Sequence, residues 1–447
     1  MDYEKFAMQI VDKALRAGAD EADVYLSHGR ESEVTIRMGE IEVLKSAGSR
    51  GLGLRVFAGD RLGFVYTTDF TDAAIDEFVR RTLALSAETT VDEFNGLPKL
   101  EKSFTVPNLD LFDTKLAGIG TDWKIATAKK MEKTAMAFDK RITNSNGAGV
   151  YDGDGTTVLA NSNGLVGSYS STYCYLLCQP VAEDAEGKMQ TNYWYTFRHF
   201  YDELDDPEQV ARIAAQRCVQ QLGAVKEKTR KCPVVFDPVV AAQLVGAIAG
   251  AVDGDAVFKR STYLVDKLGE KIAGANVTII DDPVQTRGLS SQPFDDEGVP
   301  TYKKAIIEKG VLKTYLYDTY TAKKAGTTTT GSAQRGFTST PNIGTFNLYL
   351  EAGRHSREDI IKSVRDGFYV TQMLGFGLNL ANGDYSRGAS GLWIKDGELA
   401  YPVEEMTVAS NMLDILNGIE MVGADLEFRD GTNSPTIKVA EMTVSGT

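Results

Sequence analysis

The chain has 447 residues, with 48 basic against 62 acidic side chains for a net charge of −14, and a hydrophobic content of 43%. That length exceeds one ordinary core and calls for two or three domains. The excess of acid opposes non-specific nucleic-acid binding, which rests on Lys and Arg neutralising phosphates, and no basic run with interleaved aromatics offsets it. No uninterrupted apolar run approaches the roughly 20 residues that span a bilayer. The opening Met1-Asp2-Tyr3-Glu4-Lys5 starts an amphipathic helix and not a cationic, apolar signal peptide. A cytoplasmic protein with no membrane and no nucleic-acid partner is expected.

In chain order, a helix over residues 3–17 stops at Gly18. A strand over 22–27 follows, then two hairpin-like pairs, 33–37 with 41–46 and 51–57 with 62–67, turned by Met38-Gly39 and Gly59-Asp60. A helix over 72–85 carries Ile75, Phe78, Val79 and Leu83 on one face. Residues 86–110 are rich in turn formers and read as a surface-wrapping linker. A helix over 121–139 opens a middle region of strands at 150–160, 164–178 and 190–201. Asp206 and Pro207 then cap and start a helix to about Leu222, and Asp237 and Pro238 repeat that signal. The last third returns to strands at 303–307, 311–317 and 345–350. A helix capped by Ser356 and ended by Gly367 precedes strands through 369–406. The class predicted is α+β, with large antiparallel or mixed sheets flanked by helices. The expected division is 1–110, 111–230 and 231–447.

Few residues offer chemistry. The four cysteines do not make a disulfide scaffold. Cys174 and Cys178 share a strand face roughly 13 Å apart, too far to chelate one metal; Cys218 falls on a helix stripe and Cys232 at a strand start, and all four read as buried or incidental thiols. The three histidines, His28, His199 and His355, lie in separate segments and form no ligand pair. Ser390, in Arg387-Gly388-Ala389-Ser390-Gly391, is not in a nucleophile elbow. Lys259 and Ser261 read as a helix-end charge and a cap. No phosphate loop is present, and Gly375-Phe376-Gly377 lacks the third glycine of a dinucleotide turn. Asp281-Asp282 and Asp295-Asp296 lack calcium-loop spacing and read as solvated loop carboxylates. Thr327–Thr330 with Gly331-Ser332 reads as a mobile polar loop beside a cleft. The aromatic run from Asn192 to Tyr201 carries rings on both faces. It fits either an inter-subunit surface or a strand buried between two layers.

The most informative stretch is Val245-Gly246-Ala247-Ile248-Ala249-Gly250-Ala251-Val252-Asp253-Gly254-Asp255. With Ala256-Val257-Phe258-Lys259-Arg260-Ser261-Thr262, Gly51-Leu52-Gly53-Leu54-Arg55-Val56, Arg335-Gly336-Phe337-Thr338-Ser339-Thr340-Pro341 and Asn382-Gly383-Asp384-Tyr385-Ser386-Arg387-Gly388-Ala389-Ser390-Gly391, it resembles the TldD/PmbA family over essentially the whole chain. Within that family it resembles the PmbA-like (TldE-like) branch. The zinc-bearing members carry H-E-A-V-G-H-G-L-E-G-D, which lies over Val245 to Asp255 without a gap. The resemblance thus puts metal ligands at Val245 and Gly250 and the catalytic Glu at Gly246, and a cysteine in the loop Asp430-Gly431-Thr432-Asn433-Ser434-Pro435. Val245, Gly246 and Gly250 can neither bind a metal nor carry a proton, and the loop has no cysteine. The resemblance implies no cofactor and a non-catalytic subunit that pairs with a TldD-like zinc-bearing paralogue and acts on small unfolded peptides. Family members bear the description "modulator of DNA gyrase", which on this acidic chain reads as an indirect effect. Two alternatives stay open: a self-associating homodimer that binds peptides without cleaving them, by strand addition at a sheet edge, and an independent hydrolase around Ser390.

Overall fold

The computed structural model describes residues 1–99 and 106–446, so the 100–105 part of the expected linker lies outside the described residues. Helix α1 (Tyr3–Arg16) buries Ala7, Ile10, Val11 and Ala14 on one stripe. The Asp2 carboxylate caps it by accepting from the Lys5 amide. Strands β1 (Glu21–Arg37), β2 (Glu40–Ala58) and β3 (Arg61–Thr67) follow as a meander. Its turns are those expected: Met38 and Gly39 have φ of 51° and 82°, and Gly59 and Asp60 of 57° and 61°, the paired left-handed residues of tight hairpins.

The strands expected at 22–27 and 33–37 are one long strand, β1, and those at 41–46 and 51–57 are another, β2, while 51–57 pairs with 62–67 as expected. Residues 28–32 stay extended, with Gly29 paired to Ser49 on one side and Gly155 on the other. A Cβ on Gly29 would collide with the Asp154 carbonyl, so glycine serves close strand approach here and not a break. After α2 (Asp72–Glu88) and α3 (Thr121–Phe138) come β4 (Ile142–Asn161), β5 (Val166–Glu183), β6 (Met189–Thr191) and β7 (Trp194–Arg198). The sheet order is β3-β2-β1-β4-β5-β6, with β7 also on β5. Segments 1–110 and 111–230 therefore supply strands to one sheet, joined where β1 pairs β4. The single strand expected over 190–201 is interrupted between β6 and β7 by buried Asn192, whose side chain turns onto the Tyr193 amide at 2.8 Å.

Strand side chains alternate, and here the alternation separates two environments. Even-numbered Val24, Leu26, Val158 and Ala160 pack under α1 and α2. Val34, Val150, Leu176 and Cys178 pack on the same face under α3 and α4 (Pro207–Val219), which Asp206 and Pro207 start as expected. Among the described residues these four helices all pack on the even-numbered face, and the odd-numbered face lies opposite. One end of it docks, through Tyr25 and Leu159, on Phe294 of the C-terminal third; the other end is open.

The C-terminal third comprises β8 (Arg230–Phe236), α5 (Pro238–Ala251), α6 (Gly254–Phe258), β9 (Ile279–Asp281), β10 (Lys304–Glu308), β11 (Val311–Leu312), α7 (Thr319–Lys324), β12 (Ala333–Gln334), β13 (Asn342–Ile343), β14 (Leu348–Leu350), α8 (Arg357–Lys362), β15 (Asp366–Leu374), β16 (Asp384–Lys395), β17 (Glu398–Asn411), α9 (Met412–Asn417), β18 (Ile419–Val422), β19 (Thr432–Asn433) and β20 (Ile437–Ser445). A six-stranded sheet runs β17-β16-β15-β8-β20-β18, and a five-stranded one β11-β10-β9-β14-β19. Apolar α5 packs in the core these sheets share, with Val240, Leu244, Val245 and Ile248 against Val234, Phe368 and Leu348. The fold is α+β. Two local expectations are corrected. The strand predicted over 311–317 ends at Leu312, because the Leu316 amide leaves the sheet to bond the Val252 carbonyl below α5. Gly367 does not end a helix but lies in β15, over the Pro233 carbonyl.

The junction between the first sheet and the C-terminal third is polar and buried. Arg55 donates to both Asp23 oxygens and, at 3.1 Å, to Glu297. Arg335 donates to Asp23 at 3.2 and 3.1 Å, and the Asp296 carboxylate accepts from the Arg335 amide at 2.7 Å. Asp295 accepts from the amides of Glu297, Val299 and Ala333. These six side chains are all buried. Burial alone would lift the Asp23 carboxyl, but Arg335 and Arg55 together hold it below the usual range. Burial pushes Asp296 up to about 6, and burial with the Glu297 charge raises Asp295 as well. The reading of Asp295-Asp296 as solvated carboxylates is thus overturned. Asp281 departs from it too: it is fully buried, accepts from the Phe346 amide and lies 3.4 Å from Lys304. Asp282 is half-buried beside Lys303.

Candidate functional site

Helix α5 starts where the sequence says it does, with Asp237 capping the Val239 amide and Pro238 in the first turn. Asp237 is also a structural hub. It accepts from Arg217 at 3.2 Å and from the Tyr369 hydroxyl at 2.9 Å. The tail loop at 430–435 lies against the same helix, pinned by β19 pairing parallel to β14 and by Asn433, whose side chain accepts from the Arg429 and Asp430 amides. The fold therefore brings helix and tail loop together.

What meets there is inert. Val245 is 4% exposed and belongs to the core. A Cβ on Gly246 would face the Thr432 methyl at 3.7 Å, and one on Gly250 would face Leu380 at 4.0 Å. Among the described residues no three His, Cys, Asp or Glu side chains are grouped so as to hold a metal ion. The donor set at α5 does not fit zinc, and no step through a metal can be derived on this chain.

The other candidates are scattered. His28 stacks on Tyr3 at 4.3 Å, and buried His199 sets its ring nitrogens against the Thr172 and Gly288 carbonyls. His355 bridges to Gly423 through its backbone. Ser390 is a buried residue of β16 whose hydroxyl bonds Gln372 at 3.1 Å. Lys259 pairs with Asp255, and the Ser261 hydroxyl bonds the Ala256 carbonyl, both local helix-end contacts. All four cysteines are free and buried, and burial pushes the Cys174, Cys178 and Cys232 thiols up to about 12. The loop expected to be polar and mobile is instead anchored: Thr329 and Thr330 bond the Tyr317 carbonyl, and Ser332 is fully buried.

Above α5 lies a cavity of about 890 Å³, walled by Gly246, Gln243, Asp237, Arg217, Trp194 and Thr432. Arg217 and Arg429 stand over the Trp194 ring, at 5.0 and 4.8 Å from its centroid. A second cavity of about 830 Å³ adjoins it across Tyr193, Tyr195 and Asp430. Its floor is the open, odd-numbered face of the first sheet: Tyr151, Tyr173, Tyr175 and Phe197. The aromatic run is thus divided by alternation. Trp194 and Thr196 turn toward α4, and Tyr193, Tyr195 and Phe197 turn to the cavity. Sequence reasoning singled out this run but missed Tyr151, Tyr173 and Tyr175, which the pairing of β4, β5 and β7 places beside it. The period-two tyrosines of β5 were the available signal.

Comparison with known proteins places this architecture. Three family models match in succession: PmbA/TldA metallopeptidase domain 1 over residues 22–86, the central domain over 114–222 and the C-terminal domain over 229–446. The chain is 35% identical to the metalloprotease PmbA of Escherichia coli O157:H7, covering 96% of this chain and 93% of that protein. It is 34% identical to a PmbA homologue of Haemophilus influenzae, covering 98% and 94%. A Bacteroides thetaiotaomicron crystal structure named for modulation of DNA gyrase superposes with a TM-score of 0.93 at 28% identity, covering all of both chains. TldE from Thermococcus kodakarensis superposes at 0.89 with 25% identity, covering 99% of this chain and all of that one. With the same three domains in the same order along its length, the chain belongs to the PmbA/TldD family.

Proposed function

We propose that this chain is the non-catalytic subunit of a TldD/TldE-type zinc metallopeptidase complex, holding small unfolded peptides while a zinc-bearing paralogue cuts them. The observation that carries the reading is the pairing of opposites at α5. The helix and tail loop meet through Gly246 and a Thr432 methyl, with no metal donor between them, yet they wall a cavity large enough for several residues of peptide. A family member that retains the chamber wall and lacks the chemistry is suited to binding and not to cleavage. Four free, buried thiols fit a reducing compartment, and we place the activity in the cytoplasm. Among the described residues no helix is long and apolar enough to cross a membrane.

Exposed Leu374 and Phe376, at the connection between β15 and β16, are our candidates for the subunit contact. They also leave room for the second reading, a homodimer that binds peptides without proteolysis. Light scattering on this chain alone, and mixed with a paralogue carrying H-E-x-x-x-H, separates the two. The expected result is a mixed species with one copy of each chain that cleaves unfolded peptides only when mixed. A homodimer indifferent to the paralogue overturns the first reading in favour of the second.

A further inference from the structure

The aromatic cavity has a chemical bias that peptide holding alone does not require. Its lining contains six aromatic rings, Leu177, Gln179 and a single charged group, the carboxylate of Asp430. The rings form one connected set. Tyr175 lies 5.5 Å from Tyr151, 5.6 Å from Tyr195 and 6.0 Å from Phe197 between centroids, and Tyr173 lies 6.3 Å from Phe197. Two of them rest on glycine: a Cβ on Gly149 would meet the Tyr151 ring, and one on Gly153 the Tyr173 ring, each at 2.5 Å. Those two rings are thereby laid low on the sheet, half-buried, with aromatic surface toward the cavity.

The charges around this floor are arranged with one sign inward. Asp430 is exposed, and among the described residues no Lys or Arg pairs with it. The nearby cations are engaged elsewhere: Arg429 pairs with Asp205 and Glu427 and stands over Trp194, and Arg198 pairs with Asp205. At the far end Glu31 and Glu33 flank Tyr173, with Lys45 bound to Glu31. Burial first, and then the Asp430 charge, suppress ionisation of the Tyr195 phenol, and burial and the neighbouring phenols do the same at Tyr175. The rings stay neutral, with electron-rich faces.

Resting on the peptide-holding reading above, we propose that this cavity is a side-chain subsite for a lysine or arginine of the bound peptide. The cation lies over the faces of Tyr175 and Tyr195, and Asp430 is its counter-charge. An electron-rich ring face and a carboxylate free of any ion pair both select for a cation; the one hydrogen bond this carboxylate makes among the described residues comes from the adjacent Gly431 amide, at 2.7 Å.

The test is fluorescence anisotropy with acetylated, amidated hexapeptides differing at one central residue, lysine or its uncharged counterpart norleucine. Blocking both ends leaves the side chain as the only source of cation. The full chain is titrated alone and with its zinc-bearing paralogue. The lysine peptide should bind about tenfold more tightly, and Asp430→Asn and Tyr195→Leu should each remove most of that preference while keeping the parent's thermal midpoint. Equal binding of the two peptides, or a preference that survives both substitutions, overturns the subsite and leaves peptide holding intact. Binding of neither peptide in either setting overturns both. Loss of binding when the paralogue is added overturns the subsite by making this face a subunit contact.

Discussion

At the junction of the two sheets, Asp23, Arg55, Arg335 and Glu297 are buried together and paired in full. Along α5, the positions that the sequence resemblance lays over metal ligands and base are a buried valine and two glycines. The first region keeps charge that is buried and paired. The second has no charged side chain at the three positions compared. Buried charge is tolerated when every group has partners and is costly when one is left alone, so the junction reads as a constraint on how the two units dock. The donor-free helix carries no such constraint, and small residues there leave space in the cavity.

The largest effect should come from breaking the junction. Asp23→Ala leaves Arg55 and Arg335 buried without their shared carboxylate, and stability measured by urea unfolding should fall by about 3–5 kcal/mol. A loss below about 1 kcal/mol would mean that water reaches the cluster and that it does not fix the docking.

The next effect is in pH. Asp296 has a folded value of about 6, above its ordinary 3.8. Its contribution is therefore full below about 3.8 and is lost as pH rises through about 6, a change of up to about 3 kcal/mol. Asp295 is displaced in the same direction. Asp23 has the opposite sign: its folded value is lowered, so its contribution is present above 3.8 and lost as pH falls through that lower value. Asp296→Asn should flatten the decline in stability between about pH 4 and 6 by the Asp296 share, leaving the acid loss in place. An unchanged slope would remove Asp296 from the account.

The smallest effect sharpens the other side of the comparison. A Cβ fits at both Gly246 and Gly250 with ordinary contacts, and glycine inside a helix costs about 0.5–1 kcal/mol relative to alanine. The substitution Gly250→Ala, at the glycine that does not wall the cavity, should raise stability by about 0.5–1 kcal/mol and leave cleavage by the mixed complex unchanged. A large loss of cleavage with stability retained would show that this glycine contributes to the reaction, against the non-catalytic reading.

Much of this was legible along the chain. Asp206-Pro207 and Asp237-Pro238 started helices because a capping carboxylate and a proline at the first turn act locally. Met38-Gly39 and Gly59-Asp60 turned hairpins for the same kind of reason. That Val245, Gly246 and Gly250 offer no side-chain donor needed only side-chain identity. Non-local facts were not legible. Asp295 and Asp296 look like loop carboxylates until Arg335 and Asp23, more than 300 residues apart in sequence, are brought to one point. Tyr151, Tyr173 and Tyr175 look like ordinary strand tyrosines until β4, β5 and β7 pair in register.

The sequence by itself determined the local signals, the α+β class and the family, because each depends on neighbours a few residues away or on which side chain is present. Only the tertiary structure decided which face of the first sheet stays open, which carboxylates are buried, and that α5, the tail loop and the tyrosine floor border one another. Those outcomes depend on strand register and on the docking of two sheets, where a shift of a single residue would send every tyrosine to the opposite face.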